Sequence, residues 1–114
     1  MHAIPDTRRM YRHHSHITVK DVDGWNTVVE LVAKVNDEAE ANGLPRASLW
    51  TETVGPYNHL VLETEYDSLA SYEESSRKMY SMPVFGEFAK TLAEVADGPG
   101  HSELFERADQ VFGG

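Results

Sequence analysis

The order of hydrophobic periods along the chain restricts its fold more than any other feature of the sequence. A two-residue period is typical of a β-strand, and a period of three to four residues is typical of an amphipathic α-helix. The two-residue period covers residues 10–20, 46–54, 59–66 and 101–108. Helical spacing separates the first two of these segments and also the last two. The sequence therefore predicts the order β-α-β-β-α-β.

The predicted helices have recognisable starts and ends. Asp21 or Asp23 is predicted to cap the first helix, and Gly43 suits the left-handed position after its last turn. The second helix is predicted to start at residues 67–68, with an interruption at residues 81–83 where Ser81 is a candidate new cap. The apolar faces of the two helices are predicted to carry Trp25, Val28, Val29, Val32, Val35 and Ala39 in the first, and Leu69, Tyr72, Met79, Phe85, Phe88, Leu92 and Val95 in the second.

This order is that of the ferredoxin-like α+β fold, in which an antiparallel sheet carries two helices on one face. The domain is predicted to cover residues 10–108, with an N-terminal arm at 1–9 and a C-terminal tail at 109–114. Two helices can cover only one face of the sheet, so the other face needs another cover. A second copy of the chain is the simplest one, which predicts a homodimer closed into an α+β barrel.

Composition excludes several classes of function. The 114 residues carry a formal net charge of -9, which disfavours nucleic acid and anionic membranes as partners. Cysteine is absent, so disulfides and thiolate chemistry are excluded. Apolar runs are too short to span a bilayer, and no secretion signal is visible, so a cytoplasmic location is predicted. No glycine loop for phosphate, Ser-His-Asp signature or haem-attachment motif occurs, and no cofactor is predicted.

Alternation along the strands divides their side chains between the two faces of the sheet. Leu60, Leu62 and Tyr66 suit the helix side of the third strand, as Ile17 and Val19 do on the first. The fourth strand is ambiguous, because either Leu104, or Phe105 with Arg107, suits the barrel interior. The helix-free face is then predicted to carry Arg12, His14, His16, Ser48, Trp50, Glu52, His59, Val61, Glu63 and Glu65.

Aromatic and ionisable groups together are typical of a pocket that orients an apolar ligand with a few polar groups. A histidine beside a carboxylate can act as a general base near neutral pH. The predicted catalytic residues are His14, His16, His59 and Glu63. The predicted substrate contacts are Trp50, which can stack on a flat ring, together with Glu52, Arg12 and Phe105.

Each of these residues also has a plainer interpretation. Trp50 more often packs in a core or an interface, and Glu52 and Glu63 can pair with Arg12, Arg46 or Arg107 across strands. His14 and His16 have the His-x-His spacing of a metal-binding pair, but zinc needs three or four ligands, and the sequence leaves the remaining ones unidentified. Exposed or interface histidines are therefore favoured, and no metal site is predicted.

One stretch carries a family resemblance. Residues 62–74 (LETEYDSLASYEE), followed by MPVF at 82–85, resemble the dimeric α+β barrel superfamily and, within it, the NIPSNAP-like branch. The antibiotic biosynthesis monooxygenases share this layout with a shorter gap before the Pro-x-aromatic restart. Phe85 stands where the branch often has Trp, and Tyr72 stands where Arg is frequent.

The resemblance implies two functions. One is a cofactor-independent monooxygenase acting on a small aromatic or polyketide-like substrate. The alternative is a non-catalytic small-molecule-binding or interaction module of the NIPSNAP-like type.

Overall fold

A computed structural model describes residues 10–109 of the protein. The predicted N-terminal arm and all of the predicted tail except Asp109 lie outside the described residues. The elements are β1 Tyr11–Thr18, α1 Val22–Ala41, β2 Ser48–Thr51, β3 His59–Tyr66, α2 Leu69–Ser81, α3 Pro83–Val95 and β4 His101–Glu106. The predicted order is confirmed, with the second helical segment divided into two helices. None of the helices in the described part of the chain is both long and apolar enough to cross a membrane.

The four strands form one antiparallel sheet in the order β2-β3-β1-β4. The sheet and its helices have the predicted ferredoxin-like α+β architecture. Because β1 lies in the interior of the sheet, its residues 11–16 have a neighbour on both sides. His14 pairs with Glu63 of β3 and with Glu103 of β4.

The core lies between the sheet and the helices. Ile17, Leu60 and Phe88 are buried there with residues of α1, and Val28 of α1 has no exposed surface. Full burial of such a side chain contributes about 1.5–3 kcal/mol. The predicted helix-side assignment is confirmed for β1 and β3, since Ile17, Leu60 and Tyr66 are all buried.

Helix α1 starts at the predicted cap and packs one face on the sheet. Of the two candidates, Asp21 is the cap, since its side chain accepts a hydrogen bond from the Gly24 N–H at 2.8 Å. Gly43 has the predicted left-handed backbone, with φ of 73°. Val29 was predicted on the inner face but is 41% exposed, because it lies beside Val28 at the edge of the apolar stripe.

The break between α2 and α3 lies one residue after the predicted cap. Proline forces the preceding residue into extended backbone, so Met82, with ψ of 129°, separates the two helices. Ser81 is therefore the last residue of α2, and its hydroxyl donates to the Lys78 carbonyl at 2.7 Å. Leu69, predicted on the inner face, is 45% exposed, and none of the residues of α2 is buried.

The outer strands are shorter than predicted, and their register removes the ambiguity of β4. Phe105 lies opposite Arg12, and Leu104 lies opposite His13. Directly opposed residues point to the same face. Phe105 therefore shares the helix-free face with Arg12, whereas Leu104 points toward the helix side.

Candidate functional site

The predicted site residues of all four strands meet on the helix-free face of the sheet. Arg12, His14 and His16 alternate along β1 and therefore point to the same side. The neighbouring strands add Glu63 and His59 from β3 and Phe105 from β4. Trp50 of β2 lies opposite Val61 on this face and is 56% exposed.

Four side chains on this face form one hydrogen-bonded chain, which we call the Glu–His–His–Glu chain. Glu52 contacts Nδ1 of His59 through its Oε1. His59 Nε2 lies 3.0 Å from His16 Nδ1, and His16 Nε2 lies 2.8 Å from Glu103 Oε1. The two rings are nearly parallel, at 11°.

The two carboxylates at the ends of the Glu–His–His–Glu chain restrict which ring nitrogens can carry a hydrogen. A carboxylate only accepts hydrogen bonds, so His59 must donate from Nδ1 to Glu52, and His16 must donate from Nε2 to Glu103. A neutral imidazole has a single N–H. Two neutral rings would then turn bare acceptor nitrogens toward each other at 3.0 Å. The contact between the rings therefore forms a hydrogen bond only when one of its two nitrogens carries a hydrogen.

A second pair lies next to this chain. His14 Nε2 is 2.8 Å from Glu63 Oε2, and the Phe105 ring meets His14 edge-on at 5.1 Å between centroids. Arg12 lies 3.4 Å from Glu63 and 2.9 Å from Glu65. The predicted cross-strand ion pairing is thus confirmed for Glu63 with Arg12.

Within residues 10–109, the structure does not contain the other predicted cross-strand pairs between these glutamates and Arg46 or Arg107. Glu52 contacts His59 instead of an arginine. Arg46 pairs with Asp37 and Glu40, and Arg107 pairs with Asp109. Both arginines thus find carboxylates close to them in sequence.

Glu103 belongs to this site and was missed by the sequence interpretation. The hydrogen bond from His16 holds the pKa of the Glu103 carboxyl below its ordinary value. The alternation of β4 contained the signal, since Glu103 has the same parity as His101 and Phe105. It could not be used because the orientation of that strand was ambiguous from the sequence.

The opposite face of the sheet borders a cavity of about 260 Å³ between the sheet and the helices. Its walls combine aromatic rings, a histidine and small hydroxyl side chains. They include His13, Ser15, Leu62, Tyr66, Tyr72, Ser75, Ser76, Met79, Phe85 and Phe88. The sequence interpretation treated Tyr72, Met79, Phe85 and Phe88 only as core; His13 and Ser15 on the helix side of β1 were the available signal.

Three rings of this cavity lie close together. His13 and Tyr72 have ring centroids 5.8 Å apart, and Tyr66 meets Tyr72 edge-on at 5.2 Å. Burial lowers the pKa of His13, and the nearby His14 lowers it further. Burial also raises the pKa of Tyr66. At neutral pH the cavity therefore offers an uncharged imidazole, which has one nitrogen able to accept a proton, beside an uncharged phenol.

No family model matches the sequence, and no curated protein matches it either. Solved structures do match. A conserved protein from Methanosarcina mazei Go1 superposes with a TM-score of 0.70 at 16% identity, over 90% of this chain and 96% of that one. A putative antibiotic biosynthesis monooxygenase from Nitrosomonas europaea gives 0.67 at 15% identity, over 86% and 89%. An uncharacterized NIPSNAP domain protein from Burkholderia xenovorans gives 0.68 at 13% identity, over 87% and 95%.

The chain shares the fold of these proteins. The resemblance seen in the sequence is thereby confirmed for the fold. At these identities the likeness extends to the fold alone, and chemistry has to be argued from the residues of this chain.

Proposed function

We propose that the protein is an enzyme of the cofactor-independent monooxygenase type, and that it holds a small aromatic or polyketide-like substrate in the cavity between sheet and helices. The cavity is the observation that carries this proposal. Its volume of about 260 Å³ is that of about nine liquid water molecules at about 30 Å³ each. Its walls are mainly apolar with a few polar groups, as is typical of small-molecule sites.

The cavity side chains suggest separate roles in this reaction. Tyr72 and Phe88 offer rings against which a flat substrate can pack, and Ser75 can orient a substrate oxygen. His13 is the proposed general base, taking a proton from a substrate carbon that the ring system acidifies. The resulting carbanion gives its electrons to molecular oxygen. Overall, a CH₂ group and O₂ become a carbonyl group and water, which balances atoms and electrons without a cofactor.

This proposal moves the base from the helix-free face to the helix-covered face. The predicted catalytic set of His14, His16, His59 and Glu63 does meet, but on the open side of the sheet in the single chain. The cavity of about 260 Å³ instead contains His13. The catalytic role of the helix-free set stays a prediction.

Oxygen consumption in the presence of hydroxylated mono- and bicyclic aromatics tests the enzyme proposal. We expect wild-type protein to consume O₂ with at least one of them, and His13→Gln to lower turnover by about 10²- to 10⁴-fold, the usual contribution of a general base. Substrate affinity should change less than turnover, since Gln keeps much of the shape of the wall. Turnover lost in His59→Gln but kept in His13→Gln would instead place the base on the helix-free face.

The same assay separates the enzyme from the non-catalytic alternative. Binding of an aromatic to wild-type protein, followed by fluorescence of the ligand, without any O₂ consumption across the panel would support a binding module. Absence of both binding and turnover at millimolar concentration would contradict the cavity as a site.

A homodimer is part of the proposal. The helix-free face leaves Trp50 and Phe105 56% and 48% exposed. Large aromatic side chains are enriched in protein interfaces. Two copies packed through this face would cover both rings and close the α+β barrel. The net charge of -9 continues to disfavour nucleic acid and anionic membranes as partners, and the cytoplasmic location stays a prediction.

A further inference from the structure

Three side chains on the helix-free face have the composition of a transition-metal site. His14, His16 and Glu103 each offer one ligand atom, and these atoms all lie within 4.8 Å of one another. Two imidazoles and a carboxylate suit Zn²⁺ and the neighbouring divalent transition metals. The sequence contained the His-x-His pair, and the register of β4 supplies the third ligand that the sequence left unidentified.

The separation between His16 and Glu103 is close to the one that a metal requires. Tetrahedral ligands at about 2.0–2.1 Å from zinc lie about 3.3 Å from one another. His16 Nε2 and Glu103 Oε1 are 2.8 Å apart, so this pair needs to separate only slightly to admit an ion. Both histidines are on β1, an interior strand of the sheet, which fixes the spacing of their backbones.

The Glu–His–His–Glu chain shares His16 and Glu103 with this cluster and shows what holds the His16 ring in place. With a metal ion in place of the Nε2 proton of His16, the remaining N–H of His16 is at Nδ1. That N–H can donate to Nε2 of His59, whose own Nδ1–H donates to Glu52. Every hydrogen bond between these side chains then has one donor and one acceptor.

We propose that His14, His16 and Glu103 bind a divalent transition-metal cation such as Zn²⁺, and that His59 and Glu52 position His16 for it. Metal-binding histidines commonly donate their second N–H to a carboxylate or another acceptor, which fixes the tautomer and the ring orientation. Here the acceptor is an imidazole, and a carboxylate fixes that imidazole in turn. Three protein ligands leave a coordination position for water or a small ligand.

Zinc binding to the full chain, measured by isothermal titration calorimetry with Zn²⁺ alone, tests the proposal. We expect one Zn²⁺ per chain. His59→Gln should keep this stoichiometry and weaken the affinity by about 10- to 100-fold, the usual effect of a positioning residue. His16→Ala and Glu103→Gln should weaken it more than His59→Gln does. Addition of Co²⁺ to wild-type protein should give visible d–d absorption bands that His16→Ala lacks.

His13→Asn is the matched control, because His13 is on the same strand as both proposed histidine ligands but points to the helix side. It should bind zinc as wild-type protein does, which separates a built site from general histidine affinity among the six histidines of the chain. Circular dichroism reports whether each variant folds. If a ligand variant does not fold, histidine ¹⁵N spectra of wild-type protein test the site instead. Zinc should shift the Nε2 resonance of His16 and leave its Nδ1 protonated.

Three results would overturn the proposal: no zinc bound by wild-type protein at micromolar free Zn²⁺, zinc bound with no loss in Glu103→Gln, or equal loss in His13→Asn. None of them depends on the cavity on the other face, because zinc titration does not measure aromatic binding or O₂ consumption. The metal site and the proposed enzyme activity can therefore fail separately.

Discussion

At the scale of single residues, alternation along β1 gives three histidines two different environments. His13 points toward the helices, where burial lowers its pKa. His14 and His16 point to the open face, where each lies 2.8 Å from a carboxylate. A shift of one residue in register would exchange these environments. The chemistry of each ring therefore depends first on the face to which it points.

The phenol of Tyr66 should make the protein less stable at alkaline pH. Burial raises its pKa above the ordinary 10.0, so the unfolded chain loses this proton at lower pH than the folded chain does. Below the ordinary value both states keep the proton and stability is unaffected. As pH rises beyond it, the unfolded state ionises first, and the free energy of unfolding falls until the folded pKa is passed. Urea unfolding across this range should show a shallower fall in Tyr66→Phe, and an identical fall would contradict the expectation.

Asn36 should be important for stability because its buried amide joins α1 to the segment before β2. Its Nδ2 donates to the Ala47 carbonyl at 2.9 Å, and its Oδ1 accepts from the Ala47 N–H at 2.8 Å. Asn36→Ala leaves both backbone groups unpaired and should lower the free energy of unfolding by about 2–3 kcal/mol. Asn26→Ala, on the exposed side of the same helix, should change it by less than about 0.5 kcal/mol. Equal effects in chemical denaturation would contradict this role.

At the scale of elements, the three helices contribute unequally to the core. Helix α1 buries Val28, Val32 and Ala39, and α3 buries Val84 and Phe88. Helix α2 buries no residue, although Tyr72 and Met79 line the cavity. Its start is fixed by Ser68, whose hydroxyl accepts from the Ser71 N–H at 3.0 Å. Helix α2 therefore forms a cavity wall with little packing of its own.

Hydrogen exchange should show this difference. We expect amides of α2 to exchange faster than those of α1, because local opening costs less free energy where few apolar contacts are lost. A ligand bound in the cavity should slow exchange in α2 more than in α1, since it contacts the inner side of α2. Exchange measured by mass spectrometry tests both. Protection of α2 equal to that of α1 without ligand would contradict the first expectation.

The close approach of Gly100, just before β4, to β1 requires a residue without a side chain. A Cβ at Gly100 would lie 2.7 Å from the carbonyl oxygen of His16, which is closer than such contacts allow. Gly100→Ala should therefore displace β4 from β1 and destabilise the protein, as followed by thermal unfolding. Gly86→Ala is the control, because a Cβ there meets nothing within 4 Å among the described residues. At the end of the first turn of α3 it should be neutral or stabilising. Equal unfolding temperatures for the two variants would contradict the close approach.

At the scale of the whole molecule, the sheet has one covered face and one open face within residues 10–109. The helices cover the side that carries Leu60 and Tyr66. The other side presents Trp50 and Phe105 next to the Glu–His–His–Glu chain. A second copy would enclose the proposed metal site between two sheets, on the opposite side of β1 from the cavity.

Sedimentation tests this arrangement. We expect wild-type protein to sediment as a dimer at micromolar concentration. Trp50→Glu should sediment as a monomer, because its charge would have to be buried in the interface between the two helix-free faces. Val54→Glu adds the same charge at a position that is 91% exposed outside the strands, and it should remain dimeric. Wild-type protein that sediments as a monomer would contradict the proposed homodimer.

The sequence by itself determined the order of the elements, the helix-side faces of β1 and β3 and most helix limits, because these follow from local periodicity and capping. It also indicated that His14, His16, His59 and Glu63 share one face, since alternation is a local property of each strand. Only the tertiary structure decided which strands are neighbours and in which register. That register brought Glu103 to His16 and assigned Phe105 to the open face.

The cavity beside His13 was likewise decided by the tertiary structure. Whether apolar side chains fill the space between a helix and a sheet depends on how far apart the two pack. Helical spacing specifies only which side chains point inward. Tyr72 and Met79 could thus be assigned to an inner face from the sequence. The sequence could not predict the space between these side chains and the sheet.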